Sequence, residues 1–73
     1  MTMEVENQAQ AALHSSPIFA LRDLRVERNG ESLLISGRVS SFYYKQLAQE
    51  VVRSVSEGLQ VVNSIDVEYR QPK

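Results

Sequence analysis

Apolar residues recur with two different periods along this chain, and the change of period separates predicted helices from predicted strands. Within residues 4–14 the apolar positions share one helical face; they are Val5, Ala9, Ala12 and Leu13. Pro17 ends this helix because proline disfavours a helical conformation in the residue before it. The apolar connector that follows, with Ile18, Phe19 and Leu21, is expected to be covered and to tie the helix to the sheet.

The next segment has a period of two, which predicts a half-buried strand. Leu24 and Val26 alternate there with charged residues. Asn29 and Gly30 then predict a hairpin with a type I′ turn, because both central positions of that turn need a positive φ. Counting outward from this turn places Val26 opposite Leu33 on the neighbouring strand.

A second helix is predicted for residues 42–57, with Ser41 or Ser40 as its N-cap. Its apolar stripe has helical spacing; the residues are Tyr44, Leu47, Ala48, Val51 and Val55. Gly58 is expected to end the helix in a left-handed conformation, with Leu59 as the hydrophobic partner of the cap.

A final strand is predicted for residues 61–69, with alternating side chains directed inward; these are Ile65, Val67 and Tyr69. The element order is α-β-β-α-β, which indicates an α+β fold. Two helices would cover one face of a three-stranded mixed sheet in a two-layer sandwich. The 73 residues are expected to form a single domain with its core at about 5–69; the first few residues and 70–73 are expected to be flexible.

Composition narrows the possible functions. The chain is 42% hydrophobic and 23% charged, which is typical of a globular domain. A net charge of −1 argues against a dedicated nucleic-acid binder. No apolar run is long enough to span a bilayer. The N-terminal sequence MTMEVENQAQ lacks the features of a secretory signal, so a cytoplasmic location is expected unless the chain was cut from a longer exported protein.

No catalytic, metal or cofactor site is predicted. His14 is the only histidine, and its sequence proximity to Ser15 and Ser16 does not make a triad, which depends on spatial geometry. The chain has no cysteine, and its scattered acids suit a solvated sheet face better than a metal site. The three isolated glycines match no phosphate-binding loop. We therefore expect no small-molecule substrate and no cofactor.

The order of these elements and their key residues resembles the BON domain, named after bacterial osmotically inducible and nodulation proteins. The resemblance covers residues 5–67, and its most specific segments are GLQVVNSIDV and LLISGRV. The matching positions are Ala12, Leu13, Leu24, Val26, Gly30, Ile35, Gly37, Val39, Lys45, Ala48, Gly58, Leu59, Val62, Asn63, Ile65 and Val67.

This resemblance implies a non-enzymatic domain that associates with membranes, phospholipid surfaces or protein partners in bacterial envelopes. It brings no catalytic motif, and four of the matching residues are expected to be structural: Gly30, Gly37, Gly58 and Asn63. Gly37 would allow close approach of a neighbouring backbone or helix. Asn63, where the last strand begins, would bond local backbone.

The candidate contact region is the start of the second helix. If Tyr44 points inward, then Tyr43 and Phe42 lie about 100° and 200° round the helix, and at least one of them must be exposed. Arg38 and Lys45 are close in sequence, so amphipathic rings and cations would meet an anionic lipid surface together. Alternatively, Phe42 folds back over the sheet edge and packs with Val39.

Three kinds of function stay open at this point. The first is peripheral association with anionic phospholipid or an envelope protein through Arg38, Phe42, Tyr43 and Lys45. The second is a scaffolding role in which a protein partner pairs with an exposed sheet edge. RNA binding has less support, because the arginines along the hairpin alternate with acids that cancel the field a phosphate backbone needs.

Overall fold

Two helices pack on a mixed sheet in the computed structural model, which describes residues 4–68. Helix α1 spans Val5–His14, α2 spans Phe42–Arg53, and a 3₁₀ helix spans Phe19–Leu21. The strands are β1 (Arg25–Asn29), β2 (Ser32–Ser36), β3 (Arg38–Val39), β4 (Gln60–Asn63) and β5 (Asp66–Val67). Tyr69, which was predicted to face inward, lies outside the described residues.

The strand order is β1-β2-β4, with β1 antiparallel and β4 parallel to β2, while β3 pairs in parallel with β5. Leu33 pairs with Val61 (61 − 33 = 28) and Arg38 with Asp66 (66 − 38 = 28), so both parallel ladders have one register. Strands β3 and β5 therefore continue β2 and β4. The predicted α+β class with its three-stranded mixed sheet is confirmed. The predicted order changes only because the second and third predicted strands are each divided in two.

The hydrophobic core lies between the sheet and the helices. Its buried apolar members are Ala9, Leu13, Leu21, Leu24, Val26, Leu33, Ile35, Val39, Ala48, Val52 and Ile65. On α2 the fully buried residues are Ala48 and Val52, whereas Val51 is only half-buried. The predicted stripe was thus wrong about the centre of this face. Adjacent valines lie about 100° apart on a helix, and the pattern alone did not show which of them points at the sheet.

The hairpin register also differs from the prediction. Val26 pairs with Ile35 rather than with Leu33, and Asn29 and Ser32 form the closing pair. Gly30 therefore takes the first central position of the turn, with a φ of 65°. Of the two central residues only the first has a positive φ, which fits a type II′ turn with glycine at that position. Asn29 is therefore the last residue of the strand and not part of the turn's centre. The partner of Val26 moves by two residues (35 − 33 = 2), and every side chain keeps its predicted face.

Gly37 marks the bend between β2 and β3. Its φ is 132°, which side chains rarely adopt, and a Cβ atom there would lie 2.7 Å from Cδ2 of the buried Leu24. Across the bend the parallel ladder is unbroken, since Ser64 donates to the carbonyl of Ile35 and Asp66 to that of Gly37. Because Gly37 has no side chain, Leu24, the residue just before β1, packs directly against the bent strand.

Two side chains of α1 bond the free edge of β1. The Gln10 amide donates to the carbonyl of Leu24 at 2.8 Å and accepts from the amide of Val26 at 2.9 Å. The Glu6 carboxylate accepts from the amide of Arg28 at 2.8 Å. These bonds satisfy backbone groups that an edge strand would otherwise present to solvent or to another chain.

Helix α2 begins as predicted but ends earlier. The Ser41 hydroxyl accepts from the amide of Tyr44 at 3.3 Å, which confirms the N-cap. The helix ends at Arg53 because i→i+3 bonds tighten the next turn and serine hydroxyls bond its carbonyls. The Ser54 hydroxyl donates to the carbonyl of Val51, and the Ser56 hydroxyl donates to the carbonyl of Arg53. The predicted end at residue 57 was wrong, and Gly58, with a φ of 89°, lies in the following loop.

Substituting Glu57 tests the backbone of that loop. Glu57 has a φ of 52°, which costs a non-glycine residue on the order of 1–2 kcal/mol. We expect Glu57→Gly to raise the free energy of unfolding by about 0.5–1 kcal/mol in a denaturant titration, since glycine's extra entropy in the unfolded chain offsets part of the relief. As the matched control, Glu50→Gly, at an exposed position within α2, should lower stability by about 1 kcal/mol. Equal losses from both substitutions would contradict the strain at Glu57.

Candidate functional surface

The first turn of α2 presents two aromatic side chains to solvent. Phe42 is 58% exposed and Tyr43 is 65% exposed. Tyr44 is half-buried and packs against the core, and its ring centroid lies 5.7 Å from that of Tyr43. Because Tyr44 holds the inward position, its two predecessors turn outward. The alternative in which Phe42 is covered by packing with Val39 does not agree with this exposure.

The two predicted cations differ in their surroundings. Arg38 is exposed in β3, and its guanidinium lies 3.5 Å from the carboxylate of Glu68. Such an exposed pair contributes at most about 1 kcal/mol to stability, so Arg38 remains free to exchange partners. Lys45 is half-buried on α2, one turn after Phe42. The structure thus places all four predicted contact residues in β3 or the first turns of α2, and it gives Lys45 the least accessible side chain.

Phe19 is an exposed aromatic residue that sequence reasoning missed. It was expected to be covered, but it is 75% exposed, whereas Leu21 is buried and Ile18 is half-buried. In a 3₁₀ helix, side chains three residues apart eclipse one another. Ile18 and Leu21 therefore share the inward side, and Phe19 between them points elsewhere. That three-residue spacing was the signal that could have identified it.

Asn63 connects the end of β4 to α2. Its side-chain amide donates to the carbonyl of Lys45 at 2.9 Å and to the side-chain oxygen of Gln49 at 3.2 Å, while its own oxygen accepts from the amide of Ile65. These bonds hold the helix that carries Phe42 and Tyr43 against the sheet. The bonds to the helix were not foreseen, because the sequence does not show which turn of α2 passes over β4.

The described residues contain no grouped set of reactive side chains. No cluster of three or more His, Asp or Glu residues that could hold a metal ion occurs within residues 4–68. His14 is exposed at the end of α1. The Ser15 hydroxyl donates a hydrogen bond to the carbonyl of Ala11, and the Ser16 hydroxyl accepts one from the amide of Ile18. Both serine hydroxyls are thus engaged with backbone. No helix in this part of the chain is long and apolar enough to cross a bilayer.

Comparison with known proteins identifies the family. The family model of the BON domain matches residues 4–69 of the chain. A search of curated proteins finds no match. The matched range contains every helix and strand described above, and the BON family consists of binding domains without catalytic activity. On this match, the chain belongs to the BON domain family.

Proposed function

We propose that this domain is a binding module that associates peripherally with anionic phospholipid surfaces through the start of α2. The observation that supports this most is the exposure of both Phe42 and Tyr43 on a helix start fixed by the Ser41 cap. Aromatic side chains in such a position enter the interfacial layer of a bilayer, while adjacent cations interact with anionic headgroups. Arg38 and Lys45 are the cations beside them.

The expected binding is weak and reversible. Each cation near an anionic bilayer contributes on the order of 1 kcal/mol. Full burial of a phenylalanine side chain contributes about 1.5–3 kcal/mol, and insertion into the headgroup layer recovers only part of that. Since salt screens the first contribution and not the second, affinity should fall as salt rises without vanishing.

Pairing of a protein partner with a sheet edge has less support. At the β1 edge, Gln10 and Glu6 already bond the backbone of Leu24, Val26 and Arg28. Just beyond the end of β4, the side-chain oxygen of Asn63 accepts from the amide of Ile65. A strand that paired with β1 would have to displace the bonds of Gln10 and Glu6, whereas the aromatic rings of Phe42 and Tyr43 are open to solvent.

Vesicle binding tests the proposal. We expect the domain to cosediment with vesicles of phosphatidylglycerol and phosphatidylcholine, and much less with phosphatidylcholine alone. The double substitution Phe42→Ser and Tyr43→Ser should weaken binding about tenfold, since loss of partial aromatic burial accounts for about 1.4 kcal/mol. The matched control is Val62→Ser, which removes a 37% exposed side chain from the outer face of the sheet and should leave binding unchanged.

Backbone NMR gives the location of the contact. During titration with anionic vesicles, line broadening should concentrate in residues 38–46. No response to either vesicle composition, or equal binding of the double variant and the parent, would refute the proposed function.

A further inference from the structure

We infer that Phe19 and Arg22 form a second membrane contact, so that the domain meets the bilayer with one end rather than with the side of α2. This inference rests on the proposed function and adds a contact in a separate part of the chain. Phe19 is the most exposed large apolar residue described, at 75%. We call Phe19, Phe42 and Tyr43 the aromatic end of the domain.

The fold brings Phe19 close to Arg38 and to the start of α2. Phe19 and Asp23 line a cleft of about 300 Å³ together with Arg38, Ser40 and Glu68. Ser40 leads directly into the first turn of α2, where Phe42 lies. The 3₁₀ helix also contacts α2. Phe19 therefore lies close to Arg38 and to the segment that leads into Phe42, although 23 residues of sequence separate Phe19 from Phe42 (42 − 19 = 23).

Phe19 is held in its exposed position by the residues around it. The hydroxyl of Ser16, a residue that is 6% exposed, accepts a hydrogen bond from the amide of Ile18, with 3.0 Å between oxygen and nitrogen. The amide of Leu21 donates to the carbonyl of Ile18 at 3.0 Å, and the side chain of Leu21 is fully buried. The short helix therefore cannot turn Phe19 inward without removing Leu21 from the core. A backbone fixed in this way loses little conformational entropy when the ring of Phe19 inserts.

Arg22 places a cation over the ring of Phe19. Its Nε donates to the carbonyl of Ser16 at 2.9 Å, and its guanidinium carbon lies 5.1 Å from the centroid of Phe19. Arg38 forms an ion pair with Glu68, whereas Arg22 forms none within residues 4–68. The positive charge of Arg22 is thus available to a lipid phosphate while Phe19 enters the interfacial layer.

A bilayer fits this arrangement better than a rigid partner does. The two aromatic contacts come from separate elements, the 3₁₀ helix and α2, that touch one another. A flat and deformable surface reaches both at once, and the cation beside Phe19 complements anionic headgroups. A bilayer is therefore the occupant that we assign to the aromatic end.

A tryptophan reporter tests the inference. The chain contains no tryptophan, so Phe19→Trp introduces a single tryptophan at the proposed contact, which can be excited selectively over the three tyrosines. With phosphatidylglycerol-containing vesicles its emission should shift to the blue and be quenched by bromine-labelled lipid. The matched control Val62→Trp, on the outer face of the sheet, should show neither change. Phe19→Ser should weaken vesicle binding roughly tenfold, and Arg22→Gln about fivefold.

The possible outcomes separate this inference from the proposed function. If the parent binds vesicles while the Phe19→Trp emission stays as in buffer and Phe19→Ser binds like the parent, the second contact is refuted and the contact at α2 stands. If the parent binds no vesicles, both are refuted. A blue shift that grows with protein concentration in lipid-free buffer would assign the aromatic end to a second copy of the chain and overturn the membrane contact.

Discussion

Aspartate in place of Val52 should unfold the domain. Val52 is 0% exposed and faces the core from α2, so an ionised carboxylate there would be buried without a partner. The expected loss is on the order of 5 kcal/mol. A 73-residue domain has a total stability of about 4–11 kcal/mol, at roughly 0.05–0.15 kcal/mol per residue. Circular dichroism should therefore show no cooperative thermal transition near the parent's midpoint.

Two further valines serve as controls for this experiment. Val51→Asp, at a half-buried position, should cost less than Val52→Asp and leave a folded but weakened domain. Val62→Asp, at a 37% exposed position on the outer sheet face, should change stability least. If Val51→Asp were the more damaging of the two helix substitutions, the face of α2 that meets the sheet would be the one predicted from the sequence and not the one in the structure.

Alanine in place of Gly37 should cost about 2–4 kcal/mol of unfolding free energy. One contribution is the φ of 132°, which is strained for any residue with a side chain. The other is the added Cβ, 2.7 Å from Cδ2 of Leu24, a residue that is 1% exposed and cannot move away without disturbing the core. Urea titration should show a lower midpoint with an unchanged slope.

The matched control for this substitution is Gly30→Ala. Gly30 also has a positive φ, 65°, but a Cβ there meets no atom within 4 Å. It should therefore cost only about 1–2 kcal/mol, from backbone strain alone. Shortening the obstructing residue in Gly37→Ala/Leu24→Val should not restore the parent's stability, because the strain at φ remains. Equal losses at Gly30 and Gly37 would show that close packing against Leu24 does not matter.

Much of this fold could be predicted because hydrophobic period, caps and turn residues act locally. Both helix starts, the Ser41 cap and the inward faces of Val26 and Ile65 follow from such signals. The hairpin register could not be fixed in the same way. Asn-Gly fits a turn at either of two positions, and only packing of the finished sheet selects the one with Gly30 first. The choice between Val51 and Val52 likewise depends on how α2 is oriented over the sheet.

The candidate surface was predictable only where it belongs to a regular helix. Counting around α2 from Tyr44 was enough to predict that Phe42 or Tyr43 is exposed, and both are. Phe19 stands in an irregular connector, where the three-residue spacing of Ile18 and Leu21 indicates its exposure only if the segment is taken to be a 3₁₀ helix. Its exposure depends on the 3₁₀ conformation between Ile18 and Leu21, which tertiary packing imposes.

The bonds from α1 to the edge of β1 have a consequence for aggregation. Gln10 and Glu6 bond groups of Leu24, Val26 and Arg28 that would otherwise be open to another strand. Detachment of α1 alone would uncover these groups together with apolar side chains such as Leu13, while the rest of the sheet stayed formed. Such a partly opened molecule is a template for edge-to-edge association between chains. We therefore expect substitutions that detach α1 to lower the solubility of this domain even where the rest of the fold is retained.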